Sequence, residues 1–309
     1  MISEHVTEWL GLPVKLYDAE RSEKGVSDYG STIYRLALDW DAEVDFPTLF
    51  SRFLDDPASG QTQAIIIGQY HADDPEQDSE EVVQLLVSAQ PRLPNLRGIF
   101  IGDIISEENE ISWIHQSDVS PLLTAYKNLE HLRLRGTDGL SLGGHLHHDK
   151  LKSLTIETGG LPPELLAQVT SSHLPALEHL ELWLGTEEYG GEATVDDLEP
   201  LLQGKLFPHL KHLGLRDSQM VDDIATALQS APILAQLQTL DLSLGTLSDR
   251  GAQALLDTAA LKQLKHLDLH HHYLSDDMIR QIQRAFPGVN LEDPQGDEDE
   301  DDRYVAVSE

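Results

Sequence analysis

The chain of 309 residues contains no cysteine. That excludes disulfide staples and thiolate metal sites, and for a chain of repeats it favours a reducing compartment. Aromatic residues make up only 6%, and Lys plus Arg number 21 against 54 Asp plus Glu, a formal net charge of −33. A surface of that sign repels phosphate backbones and anionic lipid, and attracts cationic proteins at long range. The expected partner is therefore a protein, a basic one included, and neither nucleic acid nor a membrane. No stretch of 18 apolar residues occurs, and residues 1–16 carry Glu4 and Glu8 where an export signal would have a basic segment and an apolar run. This reads as a cytoplasmic chain that neither spans a membrane nor is exported. Nucleotide fingerprints are also missing: Gly190-Gly191 is flanked by Glu187, Glu188 and Glu192, which would repel a phosphate.

What the chain has in abundance is leucine in register. Leu264-x-x-Leu267-x-Leu269, followed by Leu274, is the strand segment of a leucine-rich repeat. The frame recurs with its first residue at Leu96, Leu129, Leu151, Leu177, Leu210, Leu237 and Leu264, and weakly at Phe286, at intervals of 33, 22, 26, 33, 27, 27 and 22 residues. Two further copies precede these, at Ile33-x-x-Leu36-x-Leu38 and Thr62-x-x-Ile65-x-Ile67. Helix starts follow the strands: Asp45 with Pro47, Pro162-Pro163, Thr194 with Asp197, Ser248 and Ser275. Strand then helix, repeated, predicts an α/β leucine-rich-repeat horseshoe solenoid, with parallel strands on the concave face and helices on the convex face. The organisation expected is an N-terminal cap over residues 1–30, including the charged stretch 20–25, a solenoid over 31–292, and an acidic C-terminal tail over 293–309.

Strand alternation then assigns surfaces. The leucines point into the core, and the residues between them point out of the concave face in columns about 5 Å apart. Six successive strands present His131, Arg133 and Arg135; Ser153, Thr155 and Glu157; His179, Glu181 and Trp183; His212, Gly214 and Arg216; Thr239, Asp241 and Ser243; and His266, Asp268 and His270. Arg and Trp are enriched at binding hot spots. The expected partner-binding face comprises His131, Arg133, Arg135, His179, Glu181, Trp183, His212, Arg216, Asp241, His266, Asp268 and His270, with Trp113 from an insertion at the rim. The same columns allow the arginines simply to pair with Glu157 and Glu181 across strands. The first repeats instead expose Ile66 and Phe100 among small residues, an apolar patch that either a partner, the N-terminal segment or the C-terminal tail must cover.

Chemistry is sparser. His266, Asp268 and His270 are the candidate metal ligands, although His266 and His270 stand about 13 Å apart on an extended strand. No cofactor is expected. His272 takes the place of the asparagine of the repeat ladder and is expected to hydrogen-bond backbone in the turn, and the His145-Leu146-His147-His148 stretch is expected in a solvated loop. The acidic run 297–302 reads as a solvated tail; alternatively residues 304–307 pair as a strand, or the run docks on Arg133 and Arg135.

Four segments, 110–114, 181–187, 241–247 and 267–274, together with the repeats, resemble a family of bacterial cytoplasmic leucine-rich-repeat proteins of unassigned function, over most of the chain and including residues 303–309. The resemblance implies an accessory subunit, since members are associated with gene clusters encoding radical-SAM-like, ATP-grasp-like and sulfatase-like proteins. The function expected is a non-catalytic scaffold that binds a partner on its concave face, such as an enzyme of a modification pathway. The alternatives are a metal- or His-dependent enzyme using His266, Asp268 and His270, or an acidic inhibitor or chaperone of a basic enzyme.

Overall fold

The structure, a computed structural model, describes residues 1–17, 28–71, 76–296 and 303–308. The charged stretch 20–25 and the acidic run 297–302 lie outside the described residues. Within them, eleven strands form one sheet in sequence order: β1 (Glu8–Trp9), β2 (Leu12–Leu16), β3 (Ile33–Leu36), β4 (Ala64–Ile67), β5 (Gly98–Ile101), β6 (His131–Arg135), β7 (Ser153–Glu157), β8 (His179–Gly185), β9 (His212–Ser218), β10 (Thr239–Asp241) and β11 (His266–Asp268). Every pairing from β2 to β11 is parallel. Eight helices return the chain: α1 (Phe46–Asp55), α2 (Glu80–Ala89), α3 (Ser120–Ala125), α4 (Pro163–Thr170), α5 (Val195–Leu202), α6 (Val221–Leu228), α7 (Asp249–Asp257) and α8 (Asp276–Ala285). This is an open leucine-rich-repeat solenoid.

The leucine ladder sets the register. Ile65, Ile99, Leu132, Leu154, Leu180, Leu213, Leu240 and Leu267 are mutual partners in successive strands, and all are buried. A one-residue slip would turn every one of them to the concave face, so the pattern enforces a single pairing. Helix starts follow their caps. Asp45 Oδ1 accepts from Thr48 N at 2.9 Å, Thr194 and Asp197 form a reciprocal capping box, and Ser248 and Ser275 cap α7 and α8. His272 is fully buried in its turn: its Nδ1 accepts from Leu274 N at 3.3 Å and its Nε2 donates to Leu291 O at 3.2 Å.

Between β6 and β7 the strand-then-helix alternation breaks. No helix joins β6 to β7; residues 136–152 form turns in which Gly136, Gly139, Gly143 and Gly144 all have positive φ. At Gly136 a side chain would collide with Ile114 O, so the crossover there is backbone packed on backbone. The loop is not wholly solvated either, because His148 is buried and bonds Tyr126 O at 3.1 Å.

The N-terminal segment answers the question of the apolar patch. It turns back at Leu10 and Gly11, both at positive φ, so that β1 runs antiparallel to β2 and β2 adds a parallel strand beside β3. Val6, Trp9, Leu12 and Val14 pack on Ile33, Ala64, Ile66 and Phe100. Trp9 meets Phe100 edge-on with centroids 6.2 Å apart. This patch is interior.

Candidate functional site

From β6 onward the concave face is polar, and its charges are already partnered. Arg133 and Arg135 both donate through Nε to Glu157, and Arg135 Nη1 donates to Ile104 O at 2.8 Å. Arg133 and Arg135 stack over the Phe100 ring with guanidinium carbons 4.5 and 5.3 Å from its centroid. Asp103, fully buried, joins this cluster to Arg35 of β3 through Oδ2 at 3.0 Å and through its carbonyl at 2.8 Å. Burial works to raise the Glu157 carboxyl, but Arg133 and Arg135 reverse it and leave that carboxyl below the ordinary range.

A second cluster centres on Glu181. Its Oε1 accepts from Trp183 Nε1 at 2.9 Å and Arg216 Nη1 at 3.0 Å, and its Oε2 faces His179 Nε2 at 3.6 Å and His212 Nε2 at 4.0 Å. Arg216 also reaches Asp241 Oδ2 at 3.3 Å and lies over the Trp183 ring. The two imidazoles stack, 4.0 Å between centroids. Gly214 is the ladder partner of Glu181, and a Cβ there would come within 3.0 Å of Glu181 Cγ. Burial favours the neutral carboxyl of Glu181, yet His179, Arg216 and Trp183 hold it well below the usual range. Burial, with His179 beside it, pushes His212 down to about 4.

Third, Asp268 accepts from His270 Nδ1 at 2.7 Å and from Asn290 Nδ2 at 3.0 Å. That bond raises the His270 pKa. His266 is exposed at the start of β11 and takes no part in the pair. The three candidate metal ligands of β11 are therefore not one ligand set. Among the described residues, the ligand atoms that converge within 4.8 Å of one another belong to His179, Glu181 and His212, and separately to His147, Asp149 and His173.

Several expected contact residues are covered. Trp183 is 6% exposed and Arg135 2%, so neither offers an open surface. Trp183 packs with Ile111, Val307, Ile2, Leu244 and Ala306. Three segments meet there. Val307 N donates to Asp217 Oδ1 at 2.9 Å, Ala306 N to Leu244 O at 2.8 Å, Ser112 Oγ to Ser308 O at 2.8 Å, and the Met1 amine to Ala306 O at 2.6 Å. Residues 303–308 thus lie as a strap across the C-terminal edge of the sheet, bonded to it without forming a strand. Asp241 is also largely buried.

What stays accessible is the column of His131, His179, His212 and His266, of which His266 is exposed and the other three half-buried, with Glu181, Arg133, Arg216, Asp268 and His270 also partly accessible. Trp9 and Leu10 of the hairpin wall one end of a cavity of about 320 Å³ lined by His131, Arg133, His179, Glu181 and Arg216. Trp113 is 58% exposed on the insertion after β5, apart from these clusters. Sequence reasoning missed the wall at Trp9 and Leu10, the buried cation Arg35 and its partner Asp103, and Trp40, which is 86% exposed after β3. Arg35 has a readable sign: Gly68, in the next repeat, leaves the space that its guanidinium fills.

Fold and face define a leucine-rich-repeat protein. A solved structure of a protein from Bacteroides fragilis is similar at 35% identity with a TM-score of 0.79, over 85% of this chain and 74% of that one. The chain belongs to the same family, bacterial leucine-rich-repeat proteins of unassigned function. A leucine-rich-repeat protein from Leptospira interrogans matches at 17% identity and a TM-score of 0.38, over 91% of this chain and 59% of that one. An internalin from Listeria monocytogenes matches at 15% identity and a TM-score of 0.24, over 85% and 81%. No family model and no curated protein matches the sequence. Among the described residues, no helix is long and apolar enough to cross a membrane.

Proposed function

We propose that the protein is a non-catalytic, cytoplasmic scaffold or accessory subunit that holds a protein partner on its concave face. The observation that carries this reading is the accessible column from His131 to His266. It crosses five strand spacings, about 24 Å, beside the Arg133–Glu157 and Arg216–Glu181 ion pairs, which are in place before any partner arrives. A face prepared in this way loses little side-chain freedom on binding. Trp113 and Trp40 stand exposed in the stretches that follow β5 and β3, and exposed tryptophans of this kind serve as anchors. The partner, an enzyme of a modification pathway in this reading, meets His131, Arg133 and His266 directly, while Trp183, Arg135 and Asp241 support the face from beneath.

The test is affinity capture from the native bacterium at low and moderate salt, comparing wild type with a His131→Ala/His266→Ala/Trp113→Ala variant that leaves the buried ion pairs intact. A stoichiometric partner kept by wild type and lost by the folded variant is the expected result. Identical captures from both would end the concave-face reading. Acidity as the driver, as for an inhibitor of a basic enzyme, has a different signature: capture would collapse with salt and ignore the variant. The acids on the concave face are paired, Glu157, Glu181 and Asp241 with arginine and Asp268 with His270, whereas those of α2, α5 and α8 (Glu80, Glu81, Asp196, Glu199, Asp276, Asp277) are exposed.

A further inference from the structure

We propose that His179, Glu181 and His212 form a binding site for one divalent transition-metal cation of the zinc type. This goes beyond the partner reading and does not depend on it. Two imidazole nitrogens and a carboxylate oxygen are the donor set of an open zinc site, in which three protein ligands leave one position free. The Nε2 atoms of His179 and His212 lie 3.6 and 4.0 Å from Glu181 Oε2, and the three possible ligand atoms fall within 4.8 Å of one another. A tetrahedral ion with bonds of about 2.0–2.1 Å needs its ligand atoms about 3.3 Å apart. Reaching that spacing requires the three partly exposed side chains to rotate, unstacking the two imidazoles so that both nitrogens face one point, on a ladder that already sets His179 beside His212.

The surroundings are those of a supported ligand. Glu181 Oε1 is occupied by Trp183 Nε1 and Arg216 Nη1, which fixes the carboxylate and turns Oε2 toward the imidazoles. Arg216 divides its charge between Glu181 and Asp241, so it does not cancel the carboxylate alone. Gly214 keeps the space opposite Glu181 free of a side chain. His212 Nε2 is buried with no hydrogen-bond partner, a nitrogen for which a bound cation supplies the missing bond. The cavity walled by Trp9 and Leu10 and lined by His131 and Arg133 borders the open position, where water or an anionic group of a partner could complete the coordination.

The second His/Asp group supplies the internal control. His147, Asp149 and His173 are all exposed, and among the described residues no hydrogen bond from a buried side chain orients Asp149. The experiment uses the full chain with a histidine-free tag, stripped with chelator and titrated with ZnCl2 by calorimetry. Wild type is expected to take one equivalent, with affinity lowered at least about tenfold in His179→Ala and in His212→Ala, and unchanged in His147→Ala/His173→Ala. Trp183→Phe, which keeps the ring and removes the N–H, is expected to weaken binding by about 10-fold. Co2+ absorption characteristic of low coordination should appear in wild type and vanish in His212→Ala whose circular dichroism is native. Absence of the equivalent in wild type, or its loss in the 147/173 variant instead, would overturn the proposal. The titration contains no partner, so its failure leaves the capture experiment untouched, and the reverse holds as well.

Discussion

The concave faces of β3–β5 and of β6–β11 sit on the same ladder and differ in what covers them. In the first, Ala64, Ile66, Gly98 and Phe100 are sealed beneath a hairpin of the same chain. In the second, the same pointing positions carry histidine, arginine and acid, sealed only at their C-terminal edge by the strap of residues 303–308. One repeat frame thus yields a core at one end and a working surface at the other. The difference is the chemistry of three residues per strand. Area-driven burial stabilises the apolar end, whereas the polar end stands on the completeness of its pairing.

Breaking that pairing should give the largest effect. Glu157→Gln leaves the buried Arg135 and the half-buried Arg133 without their shared carboxylate and is expected to cost about 3–5 kcal/mol in denaturant unfolding. A cost under about 1 kcal/mol would place the polar end on the same footing as an exposed ion pair. At the apolar end, Trp9→Ala removes a partly buried ring from Phe100 and is expected to cost about 1–2 kcal/mol. Hydrogen exchange should then rise in β1–β4 and remain low in β7–β10. Uniform loss of protection would show that the two ends unfold as one.

The smallest effect has the opposite sign and tests the strap. Asp217, fully buried at φ +52°, accepts from Val307 N through one oxygen, and burial pushes its carboxyl well above the ordinary range. The folded state therefore binds this proton more readily than the unfolded chain. Its contribution is full below the ordinary aspartate value of about 3.9 and is lost as pH rises through the folded value. Asp217→Asn mimics the protonated form and suits a left-handed backbone, so it should raise the melting temperature by about 2–4 °C at neutral pH. The gain over wild type should shrink as pH falls toward about 4.

The solenoid, its register and most helix caps were legible because each rests on a local period: Leu132, Leu154 and Leu180 announce their burial by spacing alone. The pairing of Arg133 with Glu157 was also readable as one of two outcomes. Exposure was not. Trp183 points out of the concave face as its position requires, but Ile111 and Val307, more than seventy residues away on either side, cover it, and neither lies in a periodic segment. The His/Glu convergence escaped for a related reason. His266, Asp268 and His270 drew attention as sequence neighbours, yet His266 and His270 stand about 13 Å apart along an extended strand. His179 and His212 are 33 residues apart and become neighbours only through the ladder. The columns did set His179 beside His212 with Glu181 at the next position; what spacing could not show is that ligand atoms of all three come within 4.8 Å of one another.

The reversal at Leu10 and Gly11 has one more consequence. A row of parallel strands ends in unpaired backbone groups that could template another copy of the chain, end to end. Here the terminal strand is two residues long and runs the wrong way for that ladder. The hairpin therefore presents a short antiparallel edge there, a poorer template for end-to-end pairing than a full parallel strand.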